Sequence, residues 1–195
     1  LYGFKVLDIS PVEDLNGTGF WLVHLQTGMQ VFYINCDDSE NLFNFAFSTP
    51  SADSTGVAHA IEHSVLCGSK NFPLKSPFLC LTKQSITTFL NALTSSDTTM
   101  YPASSSVEAD YFNVMKVYGD AVFFPRLEKW TFEQEVRRLE VDENGEISVQ
   151  GVVYNEMKGA YNDFNRIYVK QLSKAFCLLL FMPAIPAATR NQFLN

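Results

Sequence analysis

Basic residues are in short supply. Lysine and arginine number 14 against 21 aspartates and glutamates, a net charge of −7, and no basic cluster interrupts the acidic balance. A surface of that sign repels phosphate backbones and anionic lipid, which argues against a nucleic-acid partner. Long apolar runs are missing as well. The longest, Phe176 to Met182, falls far short of the roughly 20 residues a bilayer crossing requires, so no membrane span is expected. Cysteine is sparse: Cys36, Cys67, Cys80 and Cys177 form no C-x-x-C pair and read as buried free thiols, which fits a reducing compartment. No signal or transit segment is visible, and the chain opens on Leu1, as an internal piece of a longer protein would. The compartment is therefore not fixed by these residues.

Phenylalanine is plentiful, 17 residues in a chain that is 47% hydrophobic. That supports an aromatic core within one domain spanning 1–195. Residues 20–26 and 29–35 read as two strands joined by Thr27-Gly28, an antiparallel hairpin in which His24 is an ordinary, partly exposed strand residue. Residues 42–48 alternate so that Phe43, Phe45 and Phe47 form a ridge on one side of a third strand. A helix over 56–67 follows Pro50 and the capping residues of 51–55, and Gly68 suits its C-cap. Ser76-Pro77 starts a short helix to about Lys83. Residues 85–93 and 98–103 read as paired strands, and 107–124 and 127–139 as helices. The turn at 142–145, a strand at 147–149 and one or two helices over 151–173 complete the order. Strands and helices mix without a βαβ period, which predicts an α+β domain, mostly antiparallel sheet with helices packed on one face.

Two of the only three histidines, His59 and His63, stand four apart with Glu62 beside the second. On a helix such residues share a face with Cβ atoms roughly 5–6 Å apart, so both imidazoles reach one ion. The order H-x-x-E-H inverts the zinc-protease pattern H-E-x-x-H. At 100° per residue, Val57, Ile61 and Val65 make an apolar packing face, and His59, Glu62 and His63 lie nearly opposite. The plain alternative is a solvated polar face. Catalytic zinc takes three protein ligands and an open position. Glu156 is the candidate for the third: it falls within the stripe of Val152, Val153, Met157 and Ala160, where a carboxylate is costly unless paired or metal-bound. Its alternative is a salt bridge, for instance with Lys158 or Arg166. Glu62, next to a ligand, is placed to act as general base toward an attacking water.

At this point the chain resembles the inverzincin peptidases of the pitrilysin and insulinase family, in the branch that includes presequence protease and falcilysin. The resemblance rests on DSTGVAHAIEHSVLCGS at 53–69, TFLNALTSSDTTMYP at 88–102, DAVFFP at 120–125, FEQE at 132–135 and GVVYNEMKG at 151–159. It runs from about residue 5 to 175 and implies the family's α+β metallopeptidase domain. It implies Zn2+ held by His59, His63 and Glu156, with Glu62 as base. It also implies that Asn91 and Ala92 lie on an edge strand that takes the peptide substrate by strand addition. Ala58 replaces the branch's usual proline, Val136-Arg137-Arg138 replaces Gly-Trp-Arg, and the match decays over 176–195. Family members are long chains whose second half closes over unstructured peptides. The resemblance thus implies an N-terminal piece whose partner is its own missing C-terminal half or another subunit. An intracellular or organellar (mitochondrial or plastid) setting goes with a eukaryotic source, the cytoplasm with a bacterial one. The competing readings are a non-catalytic assembly subunit of the same fold, or a zinc- and peptide-binding piece inactive without its second half.

Overall fold

The computed structural model describes residues 2–51 and 53–181. Strands β1 (Phe4–Val12), β2 (Gly17–His24) and β3 (Gln30–Asn35) form an antiparallel sheet in that order. The β2–β3 hairpin is the expected one: Gly28 takes φ +72°, and its N–H bonds the His24 carbonyl at 2.8 Å. His24 is half-buried, with Nδ1 2.8 Å from the Thr27 hydroxyl, and takes no part in the site described below. Strand β1 was not expected. A register shift between Val6 and Asp8 resets its alternation, which removes the period-2 signal a strand shows in sequence. Its Pro11 is tolerated because β1 is an edge.

The second sheet holds the core. Strand β4 (Asn41–Ser48) leads into helix α1 (Val57–Val65), α2 (Pro77–Gln84), the short strands β5 (Phe89–Leu90) and β6 (Leu93–Thr94), then β7 (Thr98–Ser105) and helix α3 (Glu108–Phe123). β7 is central, pairing antiparallel with β4 on one side and with β5 and β6 on the other. The phenylalanine ridge of β4 is present. Phe43 meets Tyr111 and Tyr118 edge-on, and Phe45 and Phe47 both meet Phe123, while Leu42, Asn44 and Ala46 face outward. Each such aromatic pair adds roughly 0.5–1.5 kcal/mol beyond area burial, so the ridge is what seats α3. Val65 of α1 joins the same cluster, which puts both helices on one face of this sheet, as expected. Ser76 caps α2 with Pro77 in its first turn.

Three expectations are corrected. Residues 85–93 do not form one strand: α2 runs to Gln84, and β5 and β6 are separated by Asn91-Ala92. Residues 127–139 are not one helix. A single turn α4 (Lys129–Thr131) passes into a π-helical turn (Phe132–Val136), and β8 (Arg138–Val141) then pairs with β9 (Ile147–Gln150) across the 142–145 turn. There the alternation Arg138, Leu139, Glu140, Val141 and the hairpin turn outweigh helical spacing. The packing face of α1 is also different: Val57 and Ile61 are 57% and 47% exposed, while Glu62 is 5% exposed. α1 turns its ionisable face inward, and β6, β7, the π-turn and the helix at Val152–Tyr161 pack against it. Helices α5 (Val152–Tyr161) and α6 (Phe164–Phe181) end the described chain. The expected tail of 176–195 falls outside the described residues from 182 onward. Cys36, Cys67 and Cys80 are free, and only Cys67 is buried.

The exit of α1 is pinned by Asp120. Its carboxylate accepts bonds from the Ser69 hydroxyl, the Asn71 backbone N–H (2.8 Å) and the Asn71 side-chain amide (2.6 Å). Gly68 completes the turn at φ +108°, where a Cβ would sit 2.8 Å from the Leu74 carbonyl. Burial acts to raise the Asp120 pKa, but the bonds from Ser69, Asn71 and the Phe72 backbone outweigh it and hold the group below its ordinary 3.8. A depressed carboxylate pKa stabilises the fold above the unfolded value and loses that contribution as pH falls through the folded value. Asp120→Asn is therefore expected to cost about 2 kcal/mol at pH 7, with the gap to the parent narrowing below about pH 4. Urea melts at pH 7 and pH 3 check this, and equal stabilities at pH 7 would contradict it.

Candidate active site

Helix α1 brings His59 and His63 onto one face with ring centroids 5.0 Å apart. Ligand-capable atoms of His59, Glu62 and His63 all lie within 4.8 Å of one another. Gly56, at φ +74°, starts the helix, and the Ser64 hydroxyl bonds back to the Ala60 carbonyl within it. The third expected residue arrives from α5. One oxygen of Glu156 lies 3.3 Å from His59 Nε2 and 3.5 Å from His63 Nε2. Contrary to what its spacing predicts, Glu156 does not lie within a packed apolar stripe. Its side chain is 52% exposed and Val152 is exposed too, while Val153 carries the burial. Glu156 stands at the rim of the helix's packed face, where it reaches the imidazoles and still meets solvent.

What aims α5 is a glycine. Gly151 precedes the helix, and a Cβ there would lie 2.3 Å from the Val136 carbonyl oxygen. The missing side chain lets the start of α5 lie directly on the π-turn. That turn carries Glu135, a site residue within the FEQE segment to which the sequence alone assigned no role. Glu135 Oε2 is 3.6 Å from His63 Nδ1, a charge contact longer than a hydrogen bond, and its other oxygen accepts from Gln134 at 2.8 Å. The Glu135 carboxylate beside it is the main influence raising the His63 pKa; burial opposes this, and Glu156 and Glu62 add to it. His63 in turn lowers Glu135. A carboxylate on one ring nitrogen orients the imidazole and leaves the other nitrogen for a metal. The second acidic position of FEQE was the available signal.

Cys67 is adjacent. Its thiol donates to the His63 backbone carbonyl at 3.4 Å, and burial first, then Glu135, pushes it up to about 12, so without a metal it is protonated.

One cleft of about 540 Å³ is lined by His59, Glu62, His63, Glu135 and Glu156 together with Asn91 and Ala92. All six residues named from the sequence thus meet in one place. A groove of about 470 Å³ between α5 and α6, lined by Met157, Ala160, Ile167 and their neighbours, holds no histidine or carboxylate.

Residues 50–167 match the family described as Insulinase (Peptidase family M16). The chain belongs to that peptidase family. It is 45% identical over 176 residues to "Presequence protease, mitochondrial" of Danio rerio, an alignment covering 88% of this chain and 17% of the relative. It is 42% identical over 168 residues to "Presequence protease 1, chloroplastic/mitochondrial" of Arabidopsis thaliana, covering 85% and 16%. Among solved structures it is similar to pitrilysin, with a TM-score of 0.59 at 22% identity over 68% of this chain and 15% of that one, a likeness of fold. The chain spans about 17% of the length of the curated relatives it matches. As a member of the insulinase family it is a domain of mixed helix and antiparallel sheet, and no helix among its described residues is long and apolar enough to cross a membrane.

Gly151→Ala is expected to move Glu156 away from the imidazoles and weaken divalent-metal binding about tenfold or more, although no ligand is altered. Gly159→Ala, where a Cβ meets open space on the same helix, is expected to leave binding unchanged. Competition titration with a chromogenic chelator separates them, and equal affinities would refute the role given to Gly151.

Proposed function

We propose that this chain is the zinc-binding catalytic domain of an endopeptidase acting on unstructured peptides. The observation that carries the proposal is the shared approach of the Glu156 oxygen to the two imidazole nitrogens, 3.3 and 3.5 Å. Ligands about 2.0–2.1 Å from a tetrahedral zinc lie about 3.3 Å from one another, so the donor set fits that ion. The charge fits too. Glu62, Glu135 and Glu156 face two imidazoles, an excess of negative charge that a dication relieves. His59, His63 and Glu156 would hold the metal, and Glu135 would keep His63 turned toward it.

When bound, zinc supplies Lewis acidity that activates water and polarises a peptide carbonyl. Glu62 does the proton work. It is 5% exposed, close to both histidines and on the floor of the cleft, and it takes the proton released by the attacking water and returns it to the departing amine. Asn91 and Ala92, on the same cleft, would take the peptide backbone by strand addition. The complete set of ionisable residues supports a catalytic role over an assembly subunit. Residues 1–195 are one N-terminal domain in this proposal, and the remaining polypeptide, or a partner subunit in its place, closes over the peptide. The relatives' names place them in mitochondria and chloroplasts, and an organellar location is proposed here on that likeness.

The chain extended to its relatives' length is expected to carry about one zinc. His59→Ala, His63→Ala and Glu156→Ala should each lose it. Glu62→Gln should keep the metal while cleavage of an unstructured peptide falls about 10²–10⁴-fold. A parent without zinc, or Glu62→Gln cleaving as fast as the parent, would overturn the proposal.

A further inference from the structure

The interruption between β5 and β6 has a chemical cause. The two strands keep one register against β7, with Leu90 opposite Ala103 and Leu93 opposite Met100, which sets Asn91 opposite Pro102. The Asn91 N–H donates to the Pro102 carbonyl at 3.2 Å. The return bond of the ladder cannot form, because proline has no N–H. The Asn91 carbonyl, pointing inward from an exposed residue, is left without the strand donor that would normally fix it. Helix α3 supplies one. Tyr118, 1% exposed, lies beneath the sheet and donates its hydroxyl to the Asn91 carbonyl at 3.4 Å. Burial first, then the charge of Glu62, raises the Tyr118 pKa, so the phenol stays a donor.

Peptide geometry passes this bond outward. The Asn91 carbonyl and the Ala92 N–H belong to one planar trans peptide group and point in opposite directions. Holding the carbonyl inward therefore turns the Ala92 N–H toward the open edge. In the free chain that N–H rests on the Asn91 side-chain oxygen at 2.9 Å, a contact that an incoming peptide carbonyl can replace.

We propose that Tyr118 is a positioning residue for the peptide-binding edge: its hydroxyl stands in for the backbone donor that Pro102 lacks, and so presents the Ala92 amide to a substrate strand. The inference rests on the peptidase reading given above. It assigns to one buried side chain the link between the core and the edge, and it accounts for how the central strand of the sheet accommodates a proline.

The test uses the chain extended to its relatives' length, with Tyr118→Phe alone and together with Pro102→Ala. The first change keeps an aromatic ring in the core, and the second restores the missing backbone donor. Tyr118→Phe is expected to keep full zinc content and to raise KM for an unstructured peptide about five- to tenfold, with kcat within about twofold of the parent. Adding Pro102→Ala should return KM most of the way. Hydrogen exchange at the Asn91 amide, read without any turnover, should speed up in the single variant and slow again in the double. An unchanged KM, a parallel fall in kcat and zinc content, or no recovery with Pro102→Ala would overturn the proposal. A parent that neither binds nor cleaves peptide would overturn the peptidase reading. The exchange rates would then still decide whether the hydroxyl fixes Asn91, and unchanged exchange would refute that too.

Discussion

One oxygen of Glu156 lies within 3.5 Å of a nitrogen on each of two histidines, and it does so from a different helix. That approach depends on Gly151, whose bare backbone lets α5 start against the Val136 carbonyl. The same contact locates Glu135, because Val136 is the next residue along the π-turn. His63 is therefore held between two carboxylates whose spacing is set by one glycine. Without metal, the acidic surroundings raise the His63 pKa. Protonated His63 then contributes stability below the ordinary value of 6.5, and that contribution is lost as pH rises through the folded value. A divalent cation would take over the role of that proton.

The rest of the domain can be read as support for this arrangement. The phenylalanine ridge of β4 seats α3, α3 presents Asp120, and Asp120 ties down the chain where it leaves α1. Tyr118, two residues earlier on α3, reaches the opposite wall of the cleft at Asn91. Core packing and site geometry thus share one helix. Outside the cleft, the described surface keeps many large apolar side chains, among them Val57, Ile61, Phe164 and Leu172. Such exposure is in keeping with a chain that spans about 17% of its relatives' length.

Much of this was legible in the sequence where a short-range rule applied. The i, i+4 histidines, the alternating phenylalanines, the Thr27-Gly28 turn and the Ser76-Pro77 cap depend on near neighbours, and each is found as expected. Errors arose where a distant contact decided the outcome. The wheel of α1 placed Val57 and Ile61 inward by hydropathy, but its polar face is the one that meets the sheet and α5. Glu156 was found for a partly mistaken reason, since its stripe is only half packed. A register shift hid β1, and hairpin pairing overrode helical spacing at 138–141. Glu135 stayed unassigned because its value comes from a π-turn docked on His63, which no local pattern announces.

The central claim is that His59, His63 and Glu156 converge on one ion while Cys67 does not. Zinc K-edge X-ray absorption of the metal-loaded protein tests it directly. The account requires a first shell of nitrogen and oxygen at about 2.0–2.1 Å with the outer-shell scattering of two imidazoles. A sulfur scatterer at about 2.3 Å, or a shell lacking imidazole, would contradict it.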